Sequence, residues 1–104
     1  LIKYSMMLSI RWTKPAAKQK SGTLIYWTER IGSEKYAEKI NAETNKAIKS
    51  IQQNPHIGTK VKGAKEVRRL VVMKDYSLFY RIKKEFIEII AFWDNRQNPE
   101  RINI

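Results

Sequence analysis

From Lys60 to Lys84 the chain carries nine basic residues against two acidic ones, Glu66 and Asp75, and so concentrates a net +7 of its +11 in a quarter of its length. A field of that kind attracts polyanions: nucleic acid, the ribosome surface, anionic lipid or an acidic protein. A solvated sheet face accounts for the same residues without any ligand. If the cluster does chemistry, the chemistry that suits it is phosphodiester cleavage without a metal. Arginines and lysines on a rigid sheet can stabilise the charge of a five-coordinate phosphorus. A lysine among other cations is pushed toward a lower pKa, which makes Lys60, Lys62 or Lys65 conceivable bases, whereas an arginine can only orient and stabilise. Tyr76, Tyr80, Phe92 and Trp93 offer ring faces for unpaired bases, with core packing as the competing use of each.

Other chemistries find no support. The chain has 104 residues, no cysteine and a single histidine, so a disulfide scaffold is excluded and ordinary zinc or haem ligation is not expected. The four glycines, at 22, 32, 58 and 63, form no phosphate-cradling motif, and no cofactor is expected. His56 follows Pro55 with no nucleophile-elbow pattern near any serine, so it reads as a loop residue. Glu66, Asp75, Glu88 and Asp94 lie in a basic neighbourhood that disfavours a protonated acid. No apolar run reaches the roughly 18 residues of a membrane span, and no secretory leader is visible, so a cytosolic setting without membrane contact is expected.

The elements that must position these residues follow from periodicity. A single domain over residues 1–104 is expected, and Met6 or Met7 could each be a natural start, which would leave Leu1 to Ser5 outside the fold. Residues 6–12 read as a strand. Thr13 then caps a helix with Pro15 in its first turn, and Ala17, Ser21, Leu24, Thr28 and Ile31, with Trp27 beside them, predict its buried face. Gly32 ends it and Ser33 caps a second helix, Glu34 to Gln53, whose stripe is Tyr36, Ala37, Ile40, Thr44, Ala47, Ile48 and Ile51. After Asn54-Pro55 the period drops to two, predicting strands at Lys60–Lys62, Val67–Met73, Ser77–Ile82 and Phe86–Trp93. The last three are hairpin-linked. Helices on one sheet face would leave the other face open, with apolar patches on it.

The order and spacing of several short pieces add a resemblance. They are Trp12-Thr13 and Ala16, Ala37, Asn54-Pro55 with Gly58, Arg68 to Leu70, Tyr76-Ser77-Leu78-Phe79-Tyr80-Arg81, and Trp93-Asp94-Asn95-Arg96-Gln97-Asn98-Pro99. Together they make the chain resemble the RelE/ParE superfamily of bacterial toxins from type II toxin-antitoxin pairs. That resemblance implies an α+β fold, an N-terminal helical hairpin packed on a twisted antiparallel β-sheet, and a cognate acidic antitoxin that wraps the toxin. It implies one of two targets, because RelE-like members cut mRNA in the ribosomal A site and ParE-like members block DNA gyrase.

Under the RelE alignment Arg96 matches the second arginine of the superfamily and Arg68 falls near a catalytic lysine. Ser77 stands where active members have a sheet arginine, and Ile102 near where they have a tyrosine. Arg81, of the same parity as Ser77, or Arg69 could take over the lost contact. The expectation is mRNA cleavage slightly ahead of gyrase inhibition, with a non-toxic nucleic-acid-binding protein as a third class. For cleavage, Arg68, Arg81 and Arg96 would stabilise the phosphate and Lys60 or Lys62 would be the base. Arg69, Lys65, Lys74, Tyr76 and Trp93 would contact nucleic acid.

Overall fold

A computed structural model describes residues 7–102 and 104; Leu1–Met6 lie outside the described residues. The chain runs β1 (Ser9–Trp12), α1 (Lys14–Ile31), α2 (Lys35–Gln53), a 3₁₀ turn at Pro55–Ile57, β2 (Thr59–Lys60), β3 (Arg68–Val72), β4 (Tyr76–Ile82), β5 (Phe86–Asp94) and a second 3₁₀ turn at Pro99–Arg101. The sheet order is β1-β5-β4-β3-β2, with β4 antiparallel to both neighbours. β1 pairs with β5 in parallel, so the sheet is mostly, not wholly, antiparallel. The helical hairpin between the end of β1 and the meander is the crossover that makes a parallel partner reachable. No described helix is long and apolar enough to cross a membrane.

The helix signals act as their chemistry dictates. Thr13 Oγ1 accepts the Ala16 amide at 3.2 Å, and Gly32 closes α1 at φ 75, a left-handed position that costs glycine least. α2 buries the stripe expected of it, including Ala37, Ile40, Thr44 and Ile51. Its cap differs slightly: the helix starts at Lys35, whose amide is taken by Ser33 Oγ at 3.2 Å. The stripe of α1 is rotated from the expected one. Ala16, Leu24 and Trp27 pack on the core, whereas Ala17 and Ser21 are exposed and Ile31 is 52% exposed. Trp27 sets this rotation, because its indole donates to the Tyr76 hydroxyl at 2.7 Å and ties α1 to β4.

One inserted residue reassigns half of β5. Tyr80 pairs with Ile89 and Phe79 with Ala91, leaving Ile90 as a bulge. Because strand side chains alternate with period two, Ile87, Ile89 and Phe92 share the helix face, and Ala91 moves to the opposite side. Simple alternation, which groups Ala91 with Ile87 and Ile89, fails at that point. β1 covers only the first half of β5; farther along, the Phe92 amide is satisfied by Gln19 Oε1 of α1 at 2.9 Å.

The helix-free face is less open than expected. Val67, Phe79 and Ala91 form a second apolar cluster there, with Val61, Ala64, Ile90, Trp93 and Ile102 packed against it. The expected strand at Lys60–Lys62 shrinks to Thr59–Lys60, and the chain beyond it folds back over Phe79.

Candidate binding face

On the helix-free face the register sets Arg69 opposite Phe79 and Val71 opposite Ser77. Ser77 is fully buried, and a guanidinium reaches it from the neighbouring strand: Arg69 Nε donates to Ser77 Oγ at 2.8 Å. Asn95, just beyond β5, holds both. Its Oδ1 accepts Arg69 Nη2 at 3.1 Å and Ser77 Oγ at 2.7 Å, while its Nδ2 donates to the Lys74 carbonyl at 2.9 Å. The Asn95 amide also donates to the Asp75 carbonyl at 2.8 Å. These bonds pin the β3–β4 turn, in which Met73 and Lys74 both adopt left-handed backbone, at φ 57 and 73. Arg69 is thus fixed on one edge by neutral acceptors, Ser77 and Asn95, rather than by a carboxylate.

Beside this network lies a cleft of about 710 Å³. Lys60, Lys62 and Arg69 supply its positive charge against the single carboxylate of Glu100, and Val61, Val71, Phe79, Trp93, Ile102 and Ile104 its apolar lining. Val71 is 50% exposed, and β2 spans only Arg68 and Arg69 of its neighbour, so the outer edge of β3 from Leu70 to Val72 has no strand partner among the described residues. A free strand edge, an apolar floor and a cationic rim suit an extended acidic or amphipathic chain.

The remaining sequence-predicted residues are dispersed. Arg68 pairs in register with Tyr80, on the helix side, and its Nη1 donates to the carbonyls of Gly58 at 2.8 Å and His56 at 3.2 Å. His56 itself is exposed in the 3₁₀ turn. Arg81 shares the face of Ser77 but stands at its far end, opposite Glu88, in a hollow with Lys65 and Lys83. Lys74 is exposed at the hairpin tip. Arg96 is engaged by a carboxylate: Nε and Nη2 each reach an Asp94 oxygen at 2.9 Å. This fork raises the Arg96 pKa further and holds the Asp94 carboxyl below its usual range, in both cases chiefly through the hydrogen bond between them.

The aromatic candidates also separate. Tyr76 is 2% exposed and stacks on Phe92 with ring centroids 5.3 Å apart, so the core takes its faces; burial raises its pKa. Tyr80 is fully buried and its hydroxyl donates to the Pro55 carbonyl at 2.7 Å. Trp93 is half-buried and borders the cleft. The structure therefore gathers Arg69, Lys60, Lys62 and Trp93 around one cleft; Arg68, the register partner of Lys60, shares a different hollow with it, and Arg81, Arg96, Lys65, Lys74 and Tyr76 lie elsewhere. Asn95 carries the network yet enters the sequence reading only as part of the Trp93-to-Pro99 run behind the resemblance, with no site role. Its one local signal is its place in the turn after Trp93-Asp94.

A family model described as the ParE toxin of the type II toxin-antitoxin system parDE matches residues 10–99. The chain belongs to the ParE toxin family. Among solved structures, this ParE-family chain is similar to a chain of the chromosomal ParDE toxin-antitoxin system from P. aeruginosa. The two are 24% identical over 86% of this chain and 97% of that one, with a TM-score of 0.71. It is also similar in fold to a chain of the E. coli DinJ-YafQ toxin-antitoxin complex, at 11% identity over 86% and 94% of the two chains, with a TM-score of 0.50. No curated protein matches it at a significant level. In this ParE-family member the helical hairpin and the five-stranded sheet are the α+β fold that the resemblance implies.

Proposed function

We propose that this ParE-family chain is the growth-arresting toxin of a toxin-antitoxin pair and that it acts by binding DNA gyrase rather than by cleaving mRNA. The observation that carries this reading is the separation of the three arginines suited to a phosphate. Arg68 is spent on backbone carbonyls of the helix side, Arg81 lies at the far end of the open face, and Arg96 is forked to Asp94. A transition-state clamp needs its donors converged on one point, since electrostatic stabilisation depends on donors already in place. A binding face has no such requirement. The cleft of Arg69, Lys60, Lys62 and Trp93 supports recognition of an acidic surface, and the family match supports the ParE-like target.

The neutralising partner in this reading is an acidic antitoxin, drawn to a chain of net charge +11. The experiment pairs two assays on purified toxin. Gyrase is expected to lose supercoiling of relaxed plasmid while mRNA on programmed ribosomes stays intact. Codon-specific mRNA cleavage with gyrase unaffected would overturn the reading in favour of the RelE-like one. Absence of growth arrest on expression would leave the nucleic-acid-binding class.

A further inference from the structure

A second cleft, of about 690 Å³, lies between α1 and the end of β5 and shares Trp93 and Gln97 with the open-face cleft. One wall is a helical stripe at steps of four, Lys18, Gly22, Tyr26 and Arg30, with Trp27 alongside; Tyr76, Trp93 and Arg96 close the other side. Tyr26 is 53% exposed there, a large ring left facing solvent. The polar groups at its base are unevenly satisfied. The Tyr76 oxygen receives Trp27 Nε1 at 2.7 Å and Arg96 Nη2 at 3.5 Å, which uses its acceptor capacity and leaves its own hydrogen without an acceptor among the described residues. Tyr76 is 2% exposed, and burial raises its pKa, so it stays a donor at neutral pH. Arg96 is held by Asp94 through Nε and Nη2, leaving the Nη1 edge unused. Its guanidinium is fixed 6.0 Å from the centre of the Trp27 ring.

We propose that this α1–β5 cleft is the anchor for a carboxylate side chain of an extended acidic peptide, with Tyr76 O–H and Arg96 Nη1 as the paired donors and Trp27, Tyr26 and Trp93 as walls for the flanking apolar residues. The guanidinium reaches to within 3.5 Å of the Tyr76 oxygen through Nη2, so a donor from each side chain can meet the two oxygens of one carboxylate. Asp94, beside the guanidinium, weakens the field that a phosphate dianion would need. The length of the groove favours a peptide over a single nucleotide. From Lys18 to Arg30 the helix rises about 18 Å, the span of about five or six extended residues. Lys18 and Arg30 mark its two ends. The natural source of the peptide would be the acidic antitoxin, and to that extent the inference rests on the toxin reading.

The test uses the whole chain and an acetylated hexapeptide, Ala-Leu-Glu-Phe-Ala-Ala, against the same peptide with Gln in place of Glu. The indole N–H resonances of Trp27 and Trp93 report binding by NMR. The Glu peptide is expected to shift both, at least tenfold more tightly than the Gln peptide, with Arg96→Gln weakening it by a similar factor. Gly22→Leu is the second variant: a Cβ at Gly22 meets nothing within 4 Å and leucine favours the helix, so it keeps the fold while filling the groove. It should abolish the response. Equal shifts from both peptides, an undisturbed Trp27, or tighter binding of adenosine monophosphate at the same indoles would each overturn the proposal. The titration reads binding alone, so a silent titration with growth arrest intact removes the anchor and spares the toxin reading. A positive titration without growth arrest does the reverse.

Discussion

The hydroxyl of Tyr80 accepts the Gly58 amide at 2.9 Å, and a Cβ built at Gly58 would lie 2.6 Å from that same oxygen. The 3₁₀ turn after Asn54-Pro55 is therefore docked on the sheet by a buried phenol, and the space between them admits no side chain. The Arg69 carbonyl, 3.0 Å from the same Cβ, closes the other direction.

Gly58→Ala must push the turn off Tyr80. The expected cost is about 1–3 kcal/mol, a Tm lower by several degrees in thermal denaturation followed by circular dichroism. Tyr80→Phe should cost a similar amount, about 1–3 kcal/mol, because it strands the buried Gly58 amide. A Gly58→Ala protein with unchanged Tm would contradict the docking.

Adjacent arginines should part company on mutation. Arg68→Ala removes bonds to the Gly58 and His56 carbonyls and is expected to lower stability by about 1–2 kcal/mol while sparing target binding. Arg69→Gln keeps a donor near Ser77 and Asn95 but deletes the charge at the open-face cleft. Its stability should change little and its growth arrest should fall, as measured by plating efficiency beside urea denaturation. The opposite pattern would assign the functional face to the helix side.

Asn95 should behave as a structural hub although it sits beyond the last strand. Asn95→Ala loses the side-chain bonds to Arg69, Ser77 and the Lys74 carbonyl. A loss of about 2 kcal/mol is expected, with the β3–β4 turn the first region to exchange faster in amide hydrogen exchange. Uniform exchange across the sheet would argue against this.

The Asp94–Arg96 pair gives a defined pH dependence. The Asp94 carboxyl is depressed in the folded chain, so its stabilisation is fully present above the unfolded value of about 3.9. It is lost as the pH falls through the lower folded value. Both side chains are partly exposed, which limits the effect to about 1 kcal/mol or less. Wild type and Asp94→Asn should differ by that amount at pH 6, and the gap should narrow as the pH falls below about 3.9 in chemical denaturation. A gap that widens in acid would contradict the assignment.

The amino-acid sequence by itself determined the helices, the hairpin-linked strands and the charge. Thr13, Gly32 and the apolar stripe of α2 act within one or two turns of the chain, and a strand's alternation is a property of its own residues. What it left undecided was which way each cation faces. Arg68 and Arg69 differ by one position and so lie on opposite faces, and the bulge at Ile90 reverses Ala91 and Phe92 against any count along β5. The partners that fix Arg69 and Tyr80, namely Ser77 with Asn95 and Pro55 with Gly58, come from other elements. Only tertiary structure decided these, because sheet register and side-chain hydrogen bonds are settled between segments, where a shift of one residue exchanges core for solvent.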